Sequence, residues 1–218
     1  MARMVTISML LAALAAAPAH AQRATSAQRA RLEIGVRGFA TLGNITFQAQ
    51  DSFDAILERH AGPIIGGGAQ VLLPRDIFVE VAASRFTQQG ERVFVTATGE
   101  VFRLGIPVDV TITPLEITGG WRFRKWPRVV PYGGVGYSSY GYRETSDFAG
   151  PNEDVEERFG GFHVVGGAEY QALRWLAVGG EIVWASVPDA LNNGGVSAAF
   201  GEDNLGGRTL RVKISVGR

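Results

Sequence analysis

Hydrophobic and polar residues alternate one by one in eight stretches of this chain, which is the period of side chains on a β-strand. The connections between the stretches run long, short, long, short, long, short and long. Antiparallel barrels that cross a membrane have short turns on one side and longer loops on the other. The pattern therefore predicts an all-β fold, an eight-stranded antiparallel up-and-down transmembrane β-barrel, with both chain ends and the three short turns on the periplasmic side.

The alternation changes phase in two of the predicted strands. In the first strand the change falls near Leu42 and Gly43 and brings Ile45 and Phe47 into step with the apolar face. In the fourth strand a slip of one residue at Pro114 indicates a β-bulge. The fifth stretch is rich in Tyr and Gly and has no clear phase. Beyond the third strand, residues 87–105 predict a hairpin that stands above the membrane on strands three and four.

The minor face of the predicted strands bears charges of both signs. In a membrane barrel the apolar face contacts lipid and charged side chains pair inside. An interior of eight strands is wide enough only for side chains or one small ligand, so we expect ion pairs to fill it and do not expect a general pore. The predicted interior charges are Glu33, Arg37, Glu80, Asp109, Glu116, Arg122, Glu169, Glu181, Arg211 and Lys213.

Aromatic residues gather near both ends of the strands, as the two interfacial girdles of a membrane barrel require. The predicted girdle residues are Trp121, Phe123, Trp126, Tyr132, Tyr170 and Trp175 near the short turns, and Tyr140, Tyr142 and Trp184 near the long loops.

The first 21 residues have the features of a cleavable secretory signal peptide. Arg3 precedes an apolar run, and Ala19-His20-Ala21 provides a small-residue cleavage site before Gln22. We expect residues 1–21 to be a signal peptide, 22–30 a flexible tail and 31–218 the barrel domain. The chain contains 0 Cys, which excludes disulfides and a lipid-anchored cysteine. With 21 basic and 21 acidic residues, nothing indicates a nucleic-acid partner.

Residues suited to catalysis are few. His60 falls in the first long connection, where Ser52 is a candidate helix cap. His163 faces inward on strand six, in the direction of Glu181, and we interpret it as a buried, hydrogen-bonded histidine because no Ser follows either histidine in an H-x-S spacing. We therefore predict no catalytic residues.

Two other features suggest ligands only superficially. The acidic loop with Glu153, Asp154, Glu156 and Glu157 has irregular spacing for a divalent cation, so we interpret it as a solvated run. The glycine-rich residues 133–141 fall in a strand pattern with no helix after them, which argues against a phosphate-binding loop. We predict no cofactor-binding and no metal-binding residues.

The stretches "VTITPLEITGGWRF", "PYGGVGYSSYGYRE", "GGFHVVGGAEYQAL" and "LRVKISVGR" resemble the small eight-stranded outer-membrane β-barrel family of the OmpA, OmpX and OmpW type. The resemblance covers residues 31–218. It implies a location in the outer membrane, with outer-membrane lipid, lipopolysaccharide and the barrel assembly machinery as partners. Such barrels commonly end on an aromatic residue, whereas this chain ends on Val216-Gly217-Arg218.

These observations favour a monomeric barrel with a structural or surface-interaction role and no enzymatic activity. Two alternatives remain open at this point. The first is a lipid-modifying outer-membrane enzyme, because some barrels of this kind are hydrolases with His, Ser and a carboxylate near the outer rim; it requires His163. The second is a soluble periplasmic barrel that holds a hydrophobic ligand, and it requires apolar residues inside and polar residues outside.

Overall fold

A computed structural model describes residues 34–96, 100–146, 155–191 and 195–217. The predicted signal peptide, the predicted tail, Glu33, Glu153 and Asp154 lie outside the described residues. The strands are β1 (Gly35–Phe47), β2 (Ala61–Leu72), β3 (Ile77–Val95), β4 (Val101–Arg122), β5 (Val129–Thr145), β6 (Val155–Leu173), β7 (Leu176–Ser186) and β8 (Gly207–Gly217). Helix α1 (Gln50–Leu57) follows β1, a 3-10 turn (Pro74–Asp76) follows β2, and helix α2 (Gly195–Phe200) precedes β8.

The eight strands form one closed barrel in chain order, and each strand is antiparallel to its neighbours. β1 closes the barrel by pairing with β8 from Arg37 opposite Gly217 to Phe47 opposite Gly207. Closure removes the exposed strand edges that lipid cannot hydrogen-bond. The predicted fold is confirmed. Among the described residues, no helix is long and apolar enough to cross a membrane.

The two ends of the barrel differ in their connections. Three short turns, at 73–76, 123–128 and 174–175, define what we call the turn end. The other four connections, at 48–60, 96–100, 146–154 and 187–206, define the loop end. Strands β3 and β4 have 19 and 22 residues and extend beyond their neighbours at the loop end, with a register shift between Glu91 and Val93. This extension is the hairpin that the sequence predicts.

The outer surface of the strands is apolar in the half nearer the turn end. The outward apolar positions run from Leu115 on β4 to Phe123 directly after it, close to the nine to eleven residues of a tilted membrane strand. The soluble-carrier alternative required a polar exterior and is wrong. Exposed apolar side chains on the outer surface include Val36, Leu42, Val79, Val81, Leu115, Ile117, Val135, Val164, Ile182, Leu210, Val212 and Ile214.

The predicted phase changes in β1 and β4 are not β-bulges. Pairing of β4 with β5 continues in one register from Asp109 to Arg122, and pairing of β1 with β2 is equally continuous. Ile112, Pro114 and Glu116 all face the interior. The interior changes from polar to apolar toward the loop end, whereas the exterior changes from apolar to polar. The hydrophobic pattern of the sequence therefore changes phase, although the strand itself continues without a bulge. As a result Asp109 faces outward, whereas the sequence predicted that it faces the interior.

Three of the predicted girdle residues face the interior. Tyr132 and Tyr140 are buried, and Tyr142 is half-buried on the same face of β5. Exposed aromatic side chains toward the loop end include Trp184 on β7, as predicted, and also Tyr137 and Phe162, which are paired across β5 and β6. The remaining predicted residues at the turn end, which are Trp121, Phe123, Trp126, Tyr170 and Trp175, are exposed as expected.

Candidate functional site: the barrel interior

Four acidic and four basic side chains fill the interior at the level of the apolar exterior. Each is less than 9% exposed, and together they come from six of the eight strands. All of them are among the predicted interior charges. They face the interior because they alternate along their strands with apolar residues that face outward. The eight residues, which we call the ion-pair layer, are Arg37, Glu80, Glu116, Arg122, Glu169, Glu181, Arg211 and Lys213.

Glu169 is the centre of the cluster nearest the turn end. Its Oε2 accepts hydrogen bonds from Arg37 Nη1 at 3.0 Å and from Arg122 Nη2 at 2.7 Å. These bonds join β6 to β1 and β4, neither of which is its neighbour in the barrel. Glu169 Oε1 and the two arginine Nε atoms are buried without a hydrogen-bond partner among the described residues.

Glu181 is the centre of the second cluster. It accepts hydrogen bonds from Tyr132 Oη and Arg211 Nε, and its Oε2 lies 3.4 Å from Lys213 Nζ. Arg211 Nη1 also donates to Glu116 at 3.0 Å, and Lys213 Nζ donates to Glu80 at 2.5 Å. Since Arg211 and Lys213 belong to β8 whereas Glu116 and Glu80 belong to β4 and β3, these bonds cross the lumen. The ion-pair layer therefore ties opposite walls of the barrel together.

His163 lies between two hydroxyl groups in the interior. Its Nε2 is 2.8 Å from Thr118 Oγ1, and its Nδ1 is 2.6 Å from Ser138 Oγ. One nitrogen of a neutral imidazole donates and the other accepts, and hydroxyls suit either arrangement. The buried, hydrogen-bonded histidine of the sequence analysis is confirmed, but neither of its hydrogen-bond partners is Glu181. Ser138 could not be found from an H-x-S spacing, because it belongs to β5 and is 25 residues from His163 in sequence.

Toward the loop end the interior becomes a compact apolar cluster. Phe47 stacks on Phe53 of α1 at 4.2 Å between ring centroids and meets Phe86 edge-on at 5.0 Å. Buried residues of the β7–β8 connection, including Val187 and Leu205, complete the cluster. The apolar side of helix α1 thus packs across the mouth of the barrel. The apolar cluster closes the lumen on the loop-end side of the ion-pair layer.

Helix α1 is fixed by a residue far along the chain. The helix has Ala49 as its N-cap and no side-chain cap of its own, so the predicted capping by Ser52 is wrong. The carboxylate of Glu202 instead accepts hydrogen bonds from the backbone N–H groups of Asp51 and Ser52, at 3.1 and 2.8 Å, and from Ser52 Oγ at 2.6 Å. A carboxylate at the N-terminus of a helix also interacts favourably with the helix dipole.

A cleft of about 500 Å³ opens at the loop end between the long hairpin and the β7–β8 connection. Its apolar lining includes Ile56, Val108, Phe159 and Leu191, and its polar lining includes Glu144. None of the ion-pair layer lines the cleft. The cleft is therefore a surface feature that ends above the apolar cluster.

The other residues considered in the sequence lie outside the interior. His60 Nδ1 contacts both carboxylate oxygens of Asp54 at 2.9 Å in the β1–β2 connection. Glu156 pairs with Arg143 at 2.7 Å on the exposed surface. Residues 133–141 lie in β5. Within residues 34–96, 100–146, 155–191 and 195–217, no three His, Asp or Glu side chains are grouped to hold a metal ion.

The model of the family described as "Outer membrane protein beta-barrel domain" matches residues 9–205. The chain belongs to this family. Membership, the closed barrel and the apolar exterior place the protein in the outer membrane. No curated protein matches the chain.

Several solved structures are similar to this family member in fold. The attachment invasion locus protein Ail of Yersinia pestis has 10% identity and a TM-score of 0.46, with 84% of this chain and 96% of that chain covered. The N-terminal β-barrel domain of OprF from Pseudomonas aeruginosa has 8% identity and a TM-score of 0.46, with 84% and 97% covered. A major outer membrane protein from Thermus thermophilus has 12% identity and a TM-score of 0.49, with 84% and 99% covered.

Proposed function

We propose that this protein is a closed outer-membrane barrel with a structural or surface-interaction role and that it is not a general pore. The observation that supports the proposal is the ion-pair layer. Charge-assisted bonds such as Arg211 to Glu116 and Lys213 to Glu80 occupy the lumen and join strands on opposite sides. A pore wide enough for solutes requires these side chains to leave the lumen, with the loss of several bonds that each contribute about 1.5–3 kcal/mol.

The exposed hairpin supports an interaction at the loop end. Phe94 and Phe102 are paired across β3 and β4 near the tip, and they are 59% and 51% exposed. Leu104, on the same hairpin, is 52% exposed. Exposed apolar groups that cluster on a surface outside the membrane are typical of contact sites for other molecules.

A non-enzymatic role is part of the proposal. Ser138 and His163 are the one hydrogen-bonded serine–histidine pair among the described residues, and they are 0% and 1% exposed. A lipid acyl ester cannot reach a hydroxyl that is enclosed inside the barrel, and nucleophilic catalysis requires contact with the reacting carbonyl. We also propose that the protein is a monomer, that outer-membrane lipid and lipopolysaccharide surround it, and that the barrel assembly machinery inserts it.

Solute uptake by proteoliposomes tests the absence of a pore. The wild-type protein should leave the swelling rate of liposomes in a small sugar at the protein-free value. A variant in which Arg211, Lys213, Glu116 and Glu181 are changed to Ala removes two charges of each sign. It should raise the rate when Phe47, Phe53 and Phe86 of the apolar cluster are also changed to Ala, because that cluster closes the lumen as well. Swelling by the wild type as fast as by an open porin would show that the ion-pair layer does not close the lumen.

A deletion strain separates the structural role from the surface role. Loss of the protein should increase the sensitivity of the cells to detergent, and the wild-type gene should restore resistance. The variant Phe94→Ser with Phe102→Ser should form the same barrel, checked by a mobility shift on boiling. If this variant restores resistance, the role is structural; if it does not, the hairpin surface is required. A deletion strain that differs from the wild type neither in detergent resistance nor in surface adhesion would contradict both roles.

A further inference from the structure

The connections at the two ends of the barrel have opposite charge. The connections of the loop end contain ten Asp and Glu residues and a single basic residue other than histidine, Arg59. The turns of the turn end contain five basic residues and one acidic residue, Asp76. The five basic residues, which we call the basic rim, are Arg75, Arg124, Lys125, Arg128 and Arg174.

Contacts join the first two turns of the basic rim and hold the second turn against β6. Arg124 Nε lies 2.9 Å from Asp76 Oδ1, which links the second turn to the first. Arg128 Nη1 donates to Tyr170 Oη at 3.2 Å, and the backbone N–H of Gln171 donates to the carbonyl of Arg128 at 2.7 Å. The second turn is thereby held against the strand that enters the third. Asp76 is engaged by Arg124, so the acidic residue of these turns does not neutralise Lys125 or Arg128.

An apolar groove and exposed indoles accompany the basic rim. The groove lies on the outer surface, and its lining comprises Trp126, Pro127, Arg128, Val129 and Pro131. The ammonium group of Lys125 lies 5.8 Å from the centre of the Trp126 ring. Indoles are favoured at the level of lipid headgroups, and basic side chains near a membrane surface attract anionic lipids. The groove begins where the apolar exterior of the barrel ends.

We propose that the basic rim binds anionic phospholipids of the leaflet at the turn end. Lys125 and Arg128 contact the headgroup phosphate, and the groove beside Trp126 holds the first part of an acyl chain. The acidic connections make the loop end unsuitable for the same lipids. The charge difference therefore also favours the orientation in which the turn end lies in the leaflet that contains the anionic phospholipids. This inference rests on the outer-membrane location and is independent of the role proposed for the loop end.

Lipid binding to the purified full-length protein in detergent tests the inference. Native mass spectrometry measures the dissociation constants of short-chain phosphatidylglycerol and of phosphatidylcholine with the same chains. Phosphatidylglycerol should bind at least tenfold more tightly. A basic side chain near an anionic lipid contributes about 1 kcal/mol, or roughly fivefold in affinity, so Lys125→Gln with Arg128→Gln should weaken phosphatidylglycerol binding about 25-fold.

A matched variant at the loop end controls for total charge. Arg59→Gln with Arg158→Gln removes two exposed basic groups and should leave the preference unchanged. Equal affinity for the two lipids, or equal loss in both double variants, would overturn the proposal. It would also be overturned if inorganic phosphate bound as tightly as phosphatidylglycerol, because the groove would then contribute nothing. If the turn-end double variant does not fold, the single variant Lys125→Gln must show a loss of about fivefold.

Discussion

Replacement of Glu169 by Ala tests the energetic role of the ion-pair layer. The carboxylate is shared by Arg37 and Arg122 at 3.0 and 2.7 Å, and the Glu169 side chain is only 1% exposed. Its removal eliminates two charge-assisted hydrogen bonds and leaves two buried guanidinium groups without a counter-charge among the described residues. Each such bond contributes about 1.5–3 kcal/mol, and breaking a buried ion pair from one side costs about 3–5 kcal/mol. We therefore expect a loss of about 3–5 kcal/mol in the free energy of unfolding.

The assay is urea unfolding of the barrel refolded in lipid vesicles, followed by Trp fluorescence. Glu156→Ala is the control, because Glu156 also pairs with an arginine at 2.7 Å but is 70% exposed, so that its loss should cost less than about 1 kcal/mol. A triple variant, Glu169→Leu with Arg37→Met and Arg122→Met, should recover most of the stability, since apolar groups of similar volume can replace a buried ion pair. Glu169→Ala within about 0.5 kcal/mol of the wild type would refute the reasoning.

Three further substitutions, one of them with a matched control, test other parts of the barrel. His163→Ala should cost about 1–3 kcal/mol in unfolding experiments, because two buried hydroxyls lose their partner; an unchanged midpoint would contradict this. Glu202→Ala should destabilise α1 by about 0.5–2 kcal/mol and speed amide exchange in that helix alone, whereas unaltered exchange would show that the carboxylate does not hold it. Gly136→Ala should prevent heat-modifiable folding, because its Cβ would lie 2.0 Å from a carbonyl oxygen, whereas Gly166→Ala, with nothing within 4 Å, should fold.

The number of strands, their order and most of the interior charges were predictable from the sequence. Alternation assigns Glu169, Glu181 and Lys213 to one face of their strands, and the short turns indicate which strands are neighbours in the barrel. Which acid pairs with which base was not predictable, because Arg211 and Glu116 are 95 residues apart and meet only across the closed lumen. Pairing across a lumen depends on strand tilt and stagger, which alternation does not encode.

The wrong phase assignments have a common physical cause. If apolar residues faced outward along the whole strand, Ile45 would require a change of phase near Gly43 and Ile112 would require the bulge predicted at Pro114. In the structure both residues face an interior that is itself apolar above the ion-pair layer. The same assumption misplaced Tyr132 and Tyr140 in the girdles, although each lies inside. Within the membrane the apolar side chains of a strand face outward, whereas beyond the membrane they face the interior of the barrel. Alternation alone cannot show where along the strand this change occurs.

The bond between Glu202 and the start of α1 has a consequence for the order of assembly. The two partners are 150 residues apart in the chain, so Glu202 can reach the backbone N–H of Ser52 only when the last connection has been brought back beside the first. That happens as β8 pairs with β1. Glu202 therefore fixes the start of α1 only after β1 and β8 have paired. The time at which the amides of α1 become protected from exchange during refolding would report the time of barrel closure.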